Sequence, residues 1–201
     1  GEEARVQVQQ RQRRMWLARR LETIARSPHA RRPPCILARD CGGCSLQHLS
    51  IDAQNGWKQE RLHHTLSRIG TLTPDVNALV SPAEESLGYR NRALIPIRRE
   101  DHKLRLGYYR RGSHRIVNLN HCPVLDPRLD GLIAPIKRDL EATGWPMDAD
   151  FRGRPGLRHL GLRIGVRTGE VLITLVSATE ALPGAETLSQ QWMERWPQLK
   201  G

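Results

Sequence analysis

The feature that most constrains this chain is the spacing of its four cysteines. They are Cys35, Cys41, Cys44 and Cys122. The first three form a C-x5-C-x2-C motif, whereas the fourth stands alone far downstream, directly before Pro123. Soft thiolates suit iron or zinc, and Gly42-Gly43 lets the backbone turn tightly around a bulky centre. The motif therefore predicts one [4Fe-4S] cluster that ties two distant segments together.

Other interpretations of the cysteines compete with the cluster. Zinc sites with four thiolates usually consist of two C-x2-C pairs, whereas here one arm has three cysteines and the other has one. A disulfide framework requires an oxidising compartment, and the N-terminal residues show no export signal. His48 and His121 lie beside cysteines and are weaker candidates for ligands. Zinc is the main alternative to iron.

The charge balance points to an acidic partner. The chain has 32 Lys and Arg against 21 Asp and Glu, a net charge of +11 and a pI near 10.5. Nucleic acid is the leading partner class for such a composition, although a general bias towards arginine is the alternative. The longest apolar run, residues 171–176, is far too short for a bilayer, which needs about 20 residues. We expect a soluble, cytoplasmic protein, monomeric and without a membrane span.

Basic and aromatic residues concentrate between residues 89 and 115, where nine Lys and Arg and three Tyr face only two acidic residues. Arginine forks bind phosphates, and tyrosine and arginine planes stack on splayed bases. The predicted RNA-binding residues are Arg90, Arg92, Tyr108, Arg110, Arg111 and His114, with Arg13 and Arg14 in a second basic run. On strands, Arg90 and Arg92 would project from the same face, and so would Tyr108 and Arg110. The alternative is a set of solvated arginines around core tyrosines.

Hydrophobic periodicity predicts an α+β fold of antiparallel hairpins with flanking helices. The predicted strands are residues 2–9, 16–24, 89–97, 104–109, 115–119, 157–166 and 171–177, of which 89–119 would form a meander. One helix should begin after Ser50, with Gly70 as its C-cap, and serve as a packing element. A second should begin at Asp126-Pro127 and end near Gly144, and a third should cover residues 186–196.

Several segments resemble, in the same order, 23S rRNA (uracil-5-)-methyltransferases of the RumA/RlmD type. The matching segments are Cys35 with Asp40-Cys41-Gly42-Gly43-Cys44-Ser45-Leu46-Gln47-His48-Leu49, then Arg68-Ile69-Gly70, Ser81-Pro82, Gly88-Tyr89-Arg90-Asn91-Arg92-Ala93, Gly107-Tyr108-Tyr109-Arg110-Arg111-Gly112-Ser113-His114 and His121-Cys122-Pro123-Val124-Leu125. The resemblance implies that residues 1–30 are the C-terminal part of a TRAM domain, an OB-like RNA-binding barrel. It implies that residues 31–201 are an incomplete central domain that carries a [4Fe-4S] cluster and binds RNA.

The chemistry of that family implies a division of labour. A cysteine thiolate adds to C6 of uracil, and C5 then takes the methyl group of S-adenosylmethionine. Because the cluster takes all four cysteines, no nucleophile remains, and no Gly-rich cofactor motif is present. We therefore predict no catalytic and no S-adenosylmethionine-binding residues here, and an inactive piece of an enzyme that methylates 23S rRNA. The alternatives are a stand-alone RNA-binding module stabilised by zinc or iron–sulfur, and a piece of a tRNA methyltransferase.

Overall fold

The structure is a computed structural model that describes residues 1–79, 87–100, 103–149, 155–179 and 182–201. Its elements are β1 (Glu3–Gln12), β2 (Met15–Ala25), α1 (Ile51–Gly70), β3 (Arg92–Glu100), β4 (Lys103–Leu106), α2 (Pro127–Ala142), β5 (Leu157–Ile164), β6 (Val171–Ser177) and α3 (Ala185–Arg195). The predicted α+β class with antiparallel sheets is confirmed. Within the described ranges, no helix is long and apolar enough to cross a membrane. The Ser81-Pro82 motif lies outside the described residues.

The described residues divide into two compact units. Residues 1–33 and 46–79 belong to the first, and residues 34–45 together with the described residues from 87 onwards belong to the second. In the first unit, β1 and β2 are the two strands that the sequence pattern predicted, and the structure pairs them as an antiparallel hairpin. Arg13 and Arg14 form its turn. Every residue of β2 is exposed, so this hairpin buries no face within its own unit.

Helix α1 begins where the sequence predicts. The Ser50 hydroxyl accepts a hydrogen bond from the Ala53 N–H at 3.3 Å, which is an N-cap. The predicted C-cap at Gly70 is wrong by one residue, because Gly70 is still helical and Thr71 takes the left-handed conformation at φ 52°. The predicted packing role is not seen either: no residue of α1 is buried, and Ile69 is 73% exposed.

The core lies in the second unit, where α2 packs against a four-stranded sheet of order β4-β3-β5-β6. Asp126 caps α2, Pro127 occupies its first turn, and the predicted apolar stripe is buried in full. The stripe consists of Leu129, Leu132, Ile133, Ile136 and Leu140. The predicted hairpin of β5 and β6 is confirmed, as is the terminal helix α3.

The predicted meander is only half right. β3 pairs with β4 as predicted, but residues 115–119 form no strand, only a bridge between Tyr109 and Ile116. The other neighbour of β3 is β5, which the prediction left open. β3 also starts later than predicted, because the Arg90 N–H donates to the Val124 carbonyl at 2.9 Å and so leaves the sheet. Since β4 ends at Leu106, residues 108 and 110 lie in a loop. The prediction that Arg90 and Arg92 share one face of a strand is therefore wrong, and so is the same prediction for Tyr108 and Arg110.

Candidate functional site

The first three cysteines lie on one loop, residues 34–45, and this loop is fastened to the segment that follows β4. The Gly42 N–H donates to the Tyr109 carbonyl at 2.9 Å. Arg110 forms an ion pair with Asp40, with Nη2 and Oδ1 2.8 Å apart. The guanidinium of Arg111 donates to the carbonyl of Cys44 at 2.6 Å. Two of the arginines predicted to bind RNA thus hold the cysteine loop in place.

Close contacts exclude a side chain at Gly42 and leave only van der Waals distances around an added Cβ at Gly43. A Cβ on Gly42 would lie 2.8 Å from the Tyr109 carbonyl oxygen, closer than real Cβ atoms come. A Cβ on Gly43 would lie 3.4 Å from the sulfur of Cys41 and 3.4 Å from the ring of Tyr108. The Gly43 N–H also donates to that sulfur at 3.4 Å. N–H donors of this kind stabilise cluster-bound thiolates.

Cys122 belongs to the hydrophobic core of the second unit and is 6% exposed. Burial raises the pKa of its thiol, while the backbone N–H groups of Val124 and Leu125 oppose that rise. The Cys122 N–H donates to the Asp130 carboxylate at 2.5 Å, and the same carboxylate pairs with the ring of His121. His121 is therefore engaged by an acid on α2. Nothing in the sequence spacing indicated the role of Asp130.

Tyr108 and Arg90 lie among these cysteines. Burial raises the pKa of the Tyr108 hydroxyl, and the neighbouring guanidinium of Arg90 opposes the rise. The electrostatic neighbours of Tyr108 include Cys122 and Cys41, and those of Arg90 include Cys44. Among the described residues, no partner meets the buried tyrosine oxygen with full hydrogen-bond geometry. The fold thus gathers three cysteines around one tyrosine–arginine pair.

The donor chemistry of this site fits a thiolate-bound centre. All four cysteines are free thiols within one unit, and Cys41 already accepts a backbone N–H. The described residues nevertheless hold no group of three His, Cys, Asp or Glu side chains close enough for a metal ion. The iron–sulfur cluster therefore stays a prediction, and so does its distinction from zinc.

Four of the predicted RNA-binding residues line one cleft of about 670 Å³. Its walls are Gly42, Gly43 and residues 108–114, so it contains Tyr108, Arg110, Arg111 and His114. The rings of Tyr109 and His114 meet edge to face inside it, with centroids 5.6 Å apart. The cleft and the cysteine loop share a wall, so a ligand of the cleft would contact the loop that carries the cysteines.

The other predicted RNA-binding residues lie elsewhere. Arg92 starts β3 and lines a different hollow, together with Arg163 and Arg167, whose role no sequence motif indicated. Arg90 has Tyr108 and Cys44 among its electrostatic neighbours. Arg13 and Arg14 form the turn of the hairpin in the other unit. RNA binding by any of these residues stays a prediction.

The chain is similar along its whole length to curated RNA methyltransferases. An uncharacterized RNA methyltransferase of Parasynechococcus marenigrum is 59% identical over 203 residues, and one of Synechocystis is 44% identical over 204 residues. These matches cover 100% of this chain but only 43% and 44% of the relatives. The chain therefore spans less than half the length of these curated relatives.

A solved structure of an RNA methyltransferase is also similar to this chain, at lower sequence identity. The tRNA (uracil-54, C5)-methyltransferase of Pyrococcus abyssi, in complex with S-adenosyl-L-homocysteine, matches with a TM-score of 0.62 and 27% identity. The match covers 93% of this chain and 42% of that one. No protein-family model matches the chain. The predicted relationship to RNA methyltransferases is confirmed by these similarities.

Proposed function

Because this chain is a homologue of RNA methyltransferases over its whole length, we propose that the protein containing it is an S-adenosylmethionine-dependent RNA (uracil-C5)-methyltransferase. The observation that carries the proposal is the 59% identity across the entire chain. The C5 position of uracil is supported by the structural similarity to a tRNA methyltransferase with that specificity. 23S rRNA is the substrate we propose, and tRNA is the second candidate because of the same neighbour.

Within such an enzyme, these residues bind RNA and leave the chemistry to other parts of the protein. The cleft lined by residues 108–114 combines guanidinium groups with the rings of Tyr109 and His114. Planar groups of this kind stack on unpaired bases, and arginine forks bind phosphates. No thiol remains for attack on uracil once the cysteines hold a metal centre, so the 201-residue chain alone is inactive.

A [4Fe-4S] cluster would be held by Cys35, Cys41, Cys44 and Cys122. When bound, it supplies four iron–thiolate bonds that join the cysteine loop to the core. Gly43 donates its N–H to the sulfur of Cys41, and the Asp130 carboxylate fixes the backbone beside Cys122. Since the loop forms one wall of the cleft, these residues shape the surface proposed to bind RNA.

The activity is tested with the gene product that contains this chain. We expect it to transfer a labelled methyl group from S-adenosylmethionine to RNA and to produce 5-methyluridine, identified by mass spectrometry of nuclease digests. The 201-residue chain should bind the same RNA without methylating it. 23S rRNA and tRNA transcripts, supplied separately, distinguish the two substrates. A product other than 5-methyluridine would contradict the proposed reaction.

The metal centre is tested on the chain purified without oxygen. We expect about four iron atoms per chain, with broad visible absorbance, because each thiolate ligates one iron of a cubane. Cys35→Ser and Cys122→Ser should lose both signals, whereas Ser45→Ala, a change beside Cys44, should keep them. Iron chelation should also lower the melting temperature. If the chain instead contained one zinc ion and showed no visible absorbance, the site would be a zinc site and the iron–sulfur proposal would be wrong.

A further inference from the structure

Arg92 and Arg163 lie directly opposite each other on neighbouring antiparallel strands, β3 and β5. Opposed residues in such a pair hold their Cβ atoms about 5 Å apart on one face of the sheet, and like charges there are destabilising. Both side chains are exposed. The sheet thus carries an electrostatic cost in the absence of a counter-charge.

A third arginine closes the same hollow. The turn between β5 and β6 brings Arg167 and Thr168 to the end of β5, and the hollow of about 420 Å³ is completed by Asn91. Among the described residues, no ion pair or hydrogen bond engages the guanidinium group of any of the three arginines.

The turn itself carries one acid, Glu170, which is not among the residues that line the hollow, and the acid linked to the turn through Arg128 is already neutralised. Arg128 donates to both carboxylate oxygens of Asp126, at 2.9 Å and 2.7 Å, and also reaches the Val166 carbonyl in the turn at 3.4 Å. Asp126 is therefore not free to neutralise the arginines of the hollow, and no Asp or Glu lines it. The residues that line the hollow therefore carry positive charge only, which suits an external anion.

We propose that this hollow binds a phosphodiester group of RNA, a site that adds to the cleft at residues 108–114. Guanidinium forks converge on phosphate with paired hydrogen bonds, and an anion would relieve the repulsion between Arg92 and Arg163.

The surface beside the hollow favours RNA over free phosphate. Leu94 and Leu172 share the outer face of the sheet with the two arginines and are 55% and 45% exposed. Gly161, opposite Leu94, keeps that face flat. A nucleotide could therefore lie on the apolar strip while its phosphate occupies the hollow. The site rests on the proposed function, since it assumes that the ligand is RNA.

The test measures the affinity of the 201-residue chain for a short single-stranded RNA by fluorescence anisotropy, at several salt concentrations. Arg92→Gln, Arg163→Gln and Arg167→Gln should each weaken binding about tenfold, as loss of one charge-assisted contact does. Each should also make the slope of log association constant against log salt concentration less negative by about 0.7. Arg138→Gln is the matched control, because Arg138 is exposed on α2 about 15 Å along the helix from Arg128. It should change neither quantity.

A second arm uses inorganic tripolyphosphate and the melting temperature. The anion should stabilise the wild-type chain and fail to stabilise Arg92→Gln and Arg163→Gln, whose own melting temperatures should equal or exceed that of the wild type, since the repulsion is gone. RNA binding that all three variants retain would overturn this site and leave the proposed function standing. Stabilisation by tripolyphosphate without RNA binding would overturn the assignment to RNA. A chain that binds neither ligand would overturn both the site and the proposed RNA contact.

Discussion

Gly107 illustrates how one methyl group can decide whether the site forms. A Cβ at this position would lie 1.9 Å from the Val117 carbonyl oxygen and 3.2 Å from the Leu119 nitrogen. The contact exists because the segment after β4 doubles back, with the Leu119 N–H donating to the Leu106 carbonyl at 2.7 Å. Since Tyr108 follows directly, this turn also positions the wall of the cleft.

We predict that Gly107→Ala destabilises the second unit by about 3 kcal/mol or more, because backbone must move to admit the methyl group. Gly131→Ala is the matched control: it lies inside α2 with open space around the added Cβ. That change should stabilise the chain by about 0.5–1 kcal/mol, since alanine favours the helix. Urea unfolding of both variants provides the free energies. Equal stability of the two variants would contradict the close contact.

At the scale of elements, helices α1 and α2 look alike in sequence and differ in the fold. Each begins at a capping residue, Ser50 or Asp126, and each carries apolar residues at helical spacing. The stripe of α2 is buried against the sheet, whereas α1 buries nothing within its unit. Hydrophobic periodicity identifies a helix and its apolar face, but it does not identify what covers that face.

The cap of α2 makes stability depend on pH. Hydrogen bonds from Arg128 hold the pKa of the Asp126 carboxyl below its usual range, and its side chain is 9% exposed. A lowered pKa in the folded state stabilises the chain above about pH 4, where the unfolded chain is also ionised. That contribution is lost as the pH falls through the folded-state pKa.

We therefore expect Asp126→Asn, which retains a capping side chain, to be less stable than the wild type at pH 7 and to approach it in acid. Asp126→Ala should lose about 0.5–2 kcal/mol at pH 7, because the cap is removed as well. Urea unfolding at both pH values measures these differences. If the difference in unfolding free energy between the wild type and Asp126→Asn were as large in acid as at pH 7, the charge of Asp126 would play no part in stability.

At the scale of the whole molecule, the sequence was informative wherever the signal was local. The hairpin of β5 and β6, the cap and stripe of α2, and the tight Gly42-Gly43 turn follow from periodicity, capping and backbone freedom of nearby residues. The four cysteines and the resemblance they carry also led to RNA methyltransferases, a relationship confirmed by similarity over the whole of this chain. These features need no knowledge of distant contacts.

The fold brings together residues that lie far apart in the sequence. It placed β5 beside β3, a pairing that no sequence pattern predicted, and so brought Arg163 opposite Arg92. It separated Arg92 from the cleft at residues 108–114 and used Arg110 to fasten the cysteine loop. The physical reason is that strand pairing depends on burial and on neighbours far along the chain. Local sequence patterns therefore sufficed for most helices and strands and for the relationship to RNA methyltransferases, whereas the fold determined which arginines lie side by side.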